Sequence, residues 1–104
     1  MFSDGNLSHE WDEADNSVYQ LRLFVAGASP VSVRAINNLQ LILDNHLKDR
    51  YELEIIDVHQ QPLLVQNNNV TAVPMLIKIT PLPLRRLVGD MSDTAKVLRG
   101  LGLS

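Results

Sequence analysis

The chain has 104 residues and a mass of 11.6 kDa, with 45% apolar residues, 20% charged residues and no cysteine, the make-up of one ordinary soluble domain. The missing cysteines exclude disulfides, thiolate nucleophiles, thiol redox chemistry and thiolate metal sites, and the missing apolar run of about 18 residues excludes a spanning helix. The net charge of −3 divides unevenly: residues 1–17 hold five acids (Asp4, Glu10, Asp12, Glu13, Asp15) and no Lys or Arg, which leaves seven acids against nine bases, or +2, for residues 18–104. A body at +2 falls far short of a nucleic-acid binder.

Residues 1–17 have no basic start, no apolar core and no sustained apolar period. They read as a disordered acidic leader rather than a signal peptide, and a cytoplasmic address follows. Trp11 is the one residue that argues otherwise: it reads as a Trp in a floppy tail or resting on its own domain, or else as a contact with a partner subunit. The domain proper is expected at 18–104. Residues 18–26, VYQLRLFVA, place Tyr19, Leu21, Leu23 and Val25 on one face and Val18, Phe24 and Ala26 on the other, which predicts a central strand covered on both sides. Gly27-Ala28-Ser29-Pro30 breaks it, with Ser29 as cap and Pro30 at the first helical position. Val33, Ile36, Leu39, Leu43 and Leu47 form an amphipathic stripe that predicts a helix over 30–47. Residues 51–58, YELEIIDV, predict the next strand, and the resulting βαβ unit is parallel and right-handed. Pro62–Val65 starts a short helix that Asn67-Asn68-Asn69 supports poorly. Met75–Ile79 is a third strand, Leu84–Val88 a fourth, and Asp93–Leu101 a closing helix capped by Ser92.

Little of this points to catalysis. His9, His46 and His59 show no metal-ligand spacing and read as solvated. Asp57, near the end of a parallel strand, has no second acid or base beside it in sequence, so a structural hydrogen bond is its expected role. Gly27 stands alone after its strand, too few glycines to cradle a phosphate. Lys78, Arg85 and Arg86 cluster around the Pro81/Pro83 turn, as a solvated edge or a docking patch for an acidic protein surface.

The order βαβ, then Val73-Pro74, then a hairpin and a helix resembles the thioredoxin fold, whose cis-proline would fall on Pro74. Its Cys-x-x-Cys would fall on Ala26–Pro30, where this chain has Ser29. A closer resemblance, over residues 19–103, is to the KaiB family of circadian clock proteins. It rests on Ala26-Gly27-x-x-Pro30-x-Ser32-Val33-Arg34-Ala35, on Tyr51-x-Leu53-x-Ile55-Ile56-Asp57-Val58, on Ala72-x-Pro74-x-Leu76-x-Lys78, and on Arg85-Arg86-x-Val88-Gly89-Asp90-x-Ser92-Asp93. The chain departs from the family in lacking an acidic C-terminal tail and in having Glu54 and Asn69 where lysines are expected.

The resemblance implies a non-enzymatic regulator that binds a KaiC-like ring ATPase, in circadian timing or in stress adaptation, with a KaiA-like protein or a histidine kinase as further partners. It also implies self-association as a tetramer or dimer, and an α/β domain whose second half adopts two arrangements. A βααβ-like ground state and a minor thioredoxin-like αββα state are expected, with Gly89, Asp90, Gly100 and Gly102 as the points of change. Lys78, Arg85 and Arg86 are then the partner-binding residues; no catalytic residue, metal or cofactor and no nucleic acid or membrane is expected. Two alternatives stand beside this reading: a glutathione-binding enzyme domain using Ser29, and a KaiB-like sensor domain of a histidine kinase.

Overall fold

The structure, a computed structural model, describes residues 18–103. The expected leader, with His9 and Trp11, lies outside the described residues. Seven elements follow one another: β1 (Tyr19–Val25), α1 (Pro30–His46), β2 (Tyr51–Asp57), α2 (Pro62–Asn67), β3 (Met75–Thr80), β4 (Arg85–Val88) and α3 (Thr94–Leu101). One sheet carries the strands in the order β2-β1-β3-β4. β1 and β2 are parallel, joined by α1, whereas β3 runs antiparallel to both β1 and β4. Gln20 faces Thr80 but Leu21 faces Lys78, so β3 bulges at Ile79.

The two faces of β1 explain its central place. Tyr19, Leu21, Leu23 and Val25 join Ala35, Leu39, Leu43, Leu47, Leu76, Val97 and Leu101 in the larger core, which α1 and α3 close. Phe24 points the other way, into a smaller core with Ile56, Met75 and Ile77, where Leu64 and Val65 of α2 pack. Phe24 and Leu23 are both fully buried, as expected of a strand covered on both sides.

Two expectations are corrected. The stripe on α1 is shifted: Val33 is exposed, while Ser32, Ala35 and Ile42 are buried. Small side chains let the first turns of α1 lie close on the sheet, and a count of large apolar residues overlooks them. α3 is capped by Asp93, whose Oδ1 accepts from the Lys96 N–H at 3.1 Å, and not by Ser92. Asp90 instead accepts from the Ser92 N–H at 3.0 Å, so the loop ends one residue later than expected. The second half is arranged αββα, the order expected of the thioredoxin-like state.

Candidate functional site

The β3–β4 hairpin carries the cation cluster singled out in the sequence. β4 is an edge strand, and its pairing sets Lys78 against Arg85 and Ile77 against Arg86. Side chains alternate across a sheet, so the hairpin splits the cluster. Lys78 and Arg85 stand on the α1/α3 side with Leu76, and Arg86 stands on the α2 side with Ile77. There the Arg86 guanidinium donates to the Asn68 carbonyl at 3.3 Å. Arg22 lies on that side too, its guanidinium bridging Glu54 at 3.1 Å and the Asn68 side chain at 3.2 Å.

Both arginines of β4 are exposed, but Lys78 retains only 4% of its accessible surface. Burial, and next the Arg85 charge, hold its ammonium below the ordinary lysine value. None of Lys78, Arg85 and Arg86 has a carboxylate partner among the described residues. The hairpin thus presents an uncompensated positive strip, with two arginines at the surface and a third charge behind them. The turn between the strands is apolar and open: Leu82 is 78% exposed and Leu84 45%.

Two runs of the chain that sequence reasoning treated separately meet at Asp90. Its carbonyl accepts from the Asn38 side chain at 2.9 Å, and its carboxylate lies 3.6 Å from the Arg34 guanidinium. Hydrogen bonds from Ser92, ahead of the Arg34 charge, hold the Asp90 carboxyl below the usual carboxylate range. The Gly-Asp-x-Ser-Asp loop is thereby fastened to the middle of α1. Neither Asn38 nor Arg34 was singled out for this contact; an Asp two residues before a Ser in a turn was the available signal. Gly89, at φ 128°, donates its N–H to the Pro74 carbonyl at 3.0 Å, and the Val73–Pro74 peptide is cis. Gly102 ends α3 in the left-handed region at φ 78°. Gly100 serves a different end: a Cβ there would stand 2.6 Å from Leu87 Cδ1, so its lack of a side chain lets α3 approach β4.

The residues considered for chemistry are engaged elsewhere. Ser29 donates its hydroxyl to Ser32 Oγ at 2.9 Å and accepts from the Ser32 N–H, while Ser32 Oγ also accepts from the Ala26 N–H at 3.1 Å. The pair caps α1 and braces the end of β1. Asp57 accepts from the His59 N–H at 2.9 Å, a turn hydrogen bond. No group of three or more His, Asp or Glu side chains with metal-binding geometry occurs among the described residues, and no helix among them is long and apolar enough to cross a membrane.

Comparison with known proteins agrees with this fold. The family model of the KaiB domain matches residues 22–103. The circadian clock oscillator protein KaiB of Prochlorococcus marinus (strain MIT 9312) is 49% identical over 90 residues, 86% of either chain. That of Synechococcus elongatus (strain ATCC 33912) is 47% identical over 85 residues, covering 82% of this chain and 83% of the relative. Among solved structures, the N-terminal domain of Synechococcus elongatus SasA superposes with a TM-score of 0.68 at 25% identity, over 85% of this chain and 87% of that one. The Deadhead thioredoxin of Drosophila superposes at 0.67 with 16% identity, over 93% and 90%, and shares the fold alone.

Proposed function

Since the chain belongs to the KaiB family, we propose that it is a non-enzymatic regulator that binds a KaiC-like ring ATPase and modulates its cycle, in circadian timing or stress adaptation. The observation that carries the reading is the uncompensated strip on β4. A short edge strand displaying Arg85 on one face and Arg86 on the other suits an acidic protein surface, with Lys78 adding charge from beneath. The likeness to relatives named as clock oscillator proteins over most of their length supports the same assignment. Self-association as a dimer or tetramer, a KaiA-like partner and a second arrangement of residues 59–104 belong to the proposal as well.

The test is binding to a KaiC-like ring ATPase with nucleotide. Charge reversal at Arg85 and Arg86 (R85E/R86E) is expected to weaken the complex by on the order of 1–3 kcal/mol, with a steeper loss at low salt. Unchanged affinity would overturn the assignment of the site. A second reading, a sensor domain acting on a histidine kinase, is supported by the likeness to the SasA N-terminal domain. Preferential capture of a kinase over the ring ATPase would favour it. Ser29 offers the glutathione reading no support, because its hydroxyl is committed to Ser32.

A further inference from the structure

We propose that the acidic segment 1–17 docks in cis on the β3–β4 end of its own sheet, covering the strip assigned above to a partner. The docking stands on charge and connectivity; its regulatory consequence rests on the proposed function.

Connectivity comes first. The described chain begins at Val18, whose carbonyl accepts from the Thr80 hydroxyl at 3.4 Å. Because β1 and β3 are antiparallel, the start of β1 lies beside the end of β3, at the same end of the sheet as the Pro81–Leu84 turn. Lys78 is two residues from Thr80, about 7 Å along a strand, and Arg85 is its partner on β4. The seventeen preceding residues can span at most about 60 Å, many times the distance required. A tether this short holds the segment at a local concentration on the order of millimolar.

Charge comes second. The segment holds five carboxylates and no Lys or Arg. The hairpin holds three cations with no carboxylate partner among the described residues, and one of them is buried. The other cations with ion pairs on the page, Arg22 and Arg34, are already matched to Glu54 and Asp90. Opposite fields joined by a short linker attract at a range set by the ionic strength. Val18, Leu82 and Leu84, each 45% exposed or more, border the strip and offer apolar surface to Leu7 and Trp11 of the segment. A partner's acidic surface would then have to displace the chain's own acids.

Trp11 is the chain's one tryptophan, so its fluorescence reports on the segment alone. The experiment measures acrylamide quenching of the full chain, of R85E/R86E, and of a chain with the five acids neutralised (D4N/E10Q/D12N/E13Q/D15N), which leaves the folded body untouched. Acrylamide is uncharged, so the substitutions do not bias its approach. At low salt, quenching in the native chain is expected to be about threefold weaker than in either variant, and the difference to vanish near 0.5 M salt, where screening is strong. The native value should not change with protein concentration. Equal quenching in all three chains would overturn the proposal, as would protection that grows with concentration, which would place the segment on a second copy. With a KaiC-like ATPase present, the neutralised chain is expected to bind several-fold tighter. An ATPase that binds neither chain would count against the proposed function, and the quenching would still decide the docking.

Discussion

Lys78 is the residue whose environment departs furthest from its chemistry. A buried ammonium with no carboxylate nearby is costly, and Arg85 across the ladder adds repulsion. Its folded pKa therefore lies below the ordinary 10.5. Below the folded value both states bind the proton and the folded state carries the burial penalty. Between the folded value and 10.5 only the unfolded state holds the proton, so stability rises with pH across that window. Tyr51 acts oppositely: its phenol donates to Asp44 at 2.6 Å, which raises its pKa above 10.0, and the stability it contributes below 10.0 is lost as pH climbs through the raised value. Lys78→Met is expected to stabilise the fold at neutral pH by on the order of 1 kcal/mol. It should also abolish the rise below pH 10.5 while leaving the Tyr51 decline in place. Urea unfolding of both chains from pH 7 to 11 checks this, and a persistent rise in the variant would assign the effect to another group. The same substitution is expected to weaken partner binding, which would explain a destabilising lysine at this position. Its charge and neighbours were legible in the sequence. Its burial was not, because burial depends on the bulge at Ile79 and on the pairing of three strands.

Individual elements were legible to the extent that their own pattern decides them. β1, α1 and β2 follow from alternation, a capped start and a stripe, and their bounds match to within a residue or two. The face of α1 was misread because Ser32 and Ala35, which sit where helix and sheet come closest, carry no apolar signal. α3 shows the same physics in a testable form. Gly100→Ala gains about 1 kcal/mol of helix propensity, but the new methyl meets Leu87 Cδ1 at 2.6 Å and two further Leu87 carbons within 2.9 Å. Overpacking of this kind costs about 1–3 kcal/mol, so the substitution is expected to be destabilising on balance. Its cost should shrink when paired with Leu87→Ala, and a double-mutant cycle by denaturant unfolding reads that coupling. Gly102→Ala is the control: nothing lies within 4 Å of its Cβ, so its cost at φ 78° comes from the backbone alone. It should be additive with Leu87→Ala. Coupling at Gly102 and none at Gly100 would reverse the roles assigned to the two glycines.

The molecule as a whole consists of two halves of unequal anchoring. Residues 19–57 supply most of the larger core and hold each other through the β1–β2 ladder. In the second half α2 buries no residue fully and β4 is exposed along its length except at Leu87, which is partly buried. The half is held by the β1–β3 ladder, by Val97 and Leu101, and by the tie from Asp90 to Arg34 and Asn38. Backbone amides of β1 and α1 are expected to exchange hydrogen only on global opening, and those of α2, β4 and α3 through cheaper local opening. Native-state exchange of the free protein checks this, and uniform protection across residues 19–103 would contradict it. The first half was legible, because strand, capped helix and strand each follow their own pattern and their crossover is parallel. The second half was legible in its order of helix, strand, strand and helix but not in its packing, because Gln66–Asn69 and Arg85–Val88 have mixed propensities and tertiary contacts decide how they sit. β3 lies inside the sheet between β1 and β4, and β2 and β4 are its two edges.

That ordering of strands has a consequence for the chain during its synthesis. Translation delivers β1, α1 and β2 together, but the neighbour that completes β1 on its other side begins only at Met75, 18 residues after the last residue of β2 at Asp57. At ribosomal speeds of about 5–20 residues per second, the nascent molecule carries an open ladder along β1, a strand buried on both faces, for roughly one to four seconds. Nascent copies on one messenger, spaced closely enough, would offer each other the strand each still lacks. The segment between β2 and β3, Asn67-Asn68-Asn69 included, sets the length of that interval. Shortening it would trade the contacts that Asn68 makes with Arg22 and Arg86 for safety at the ribosome.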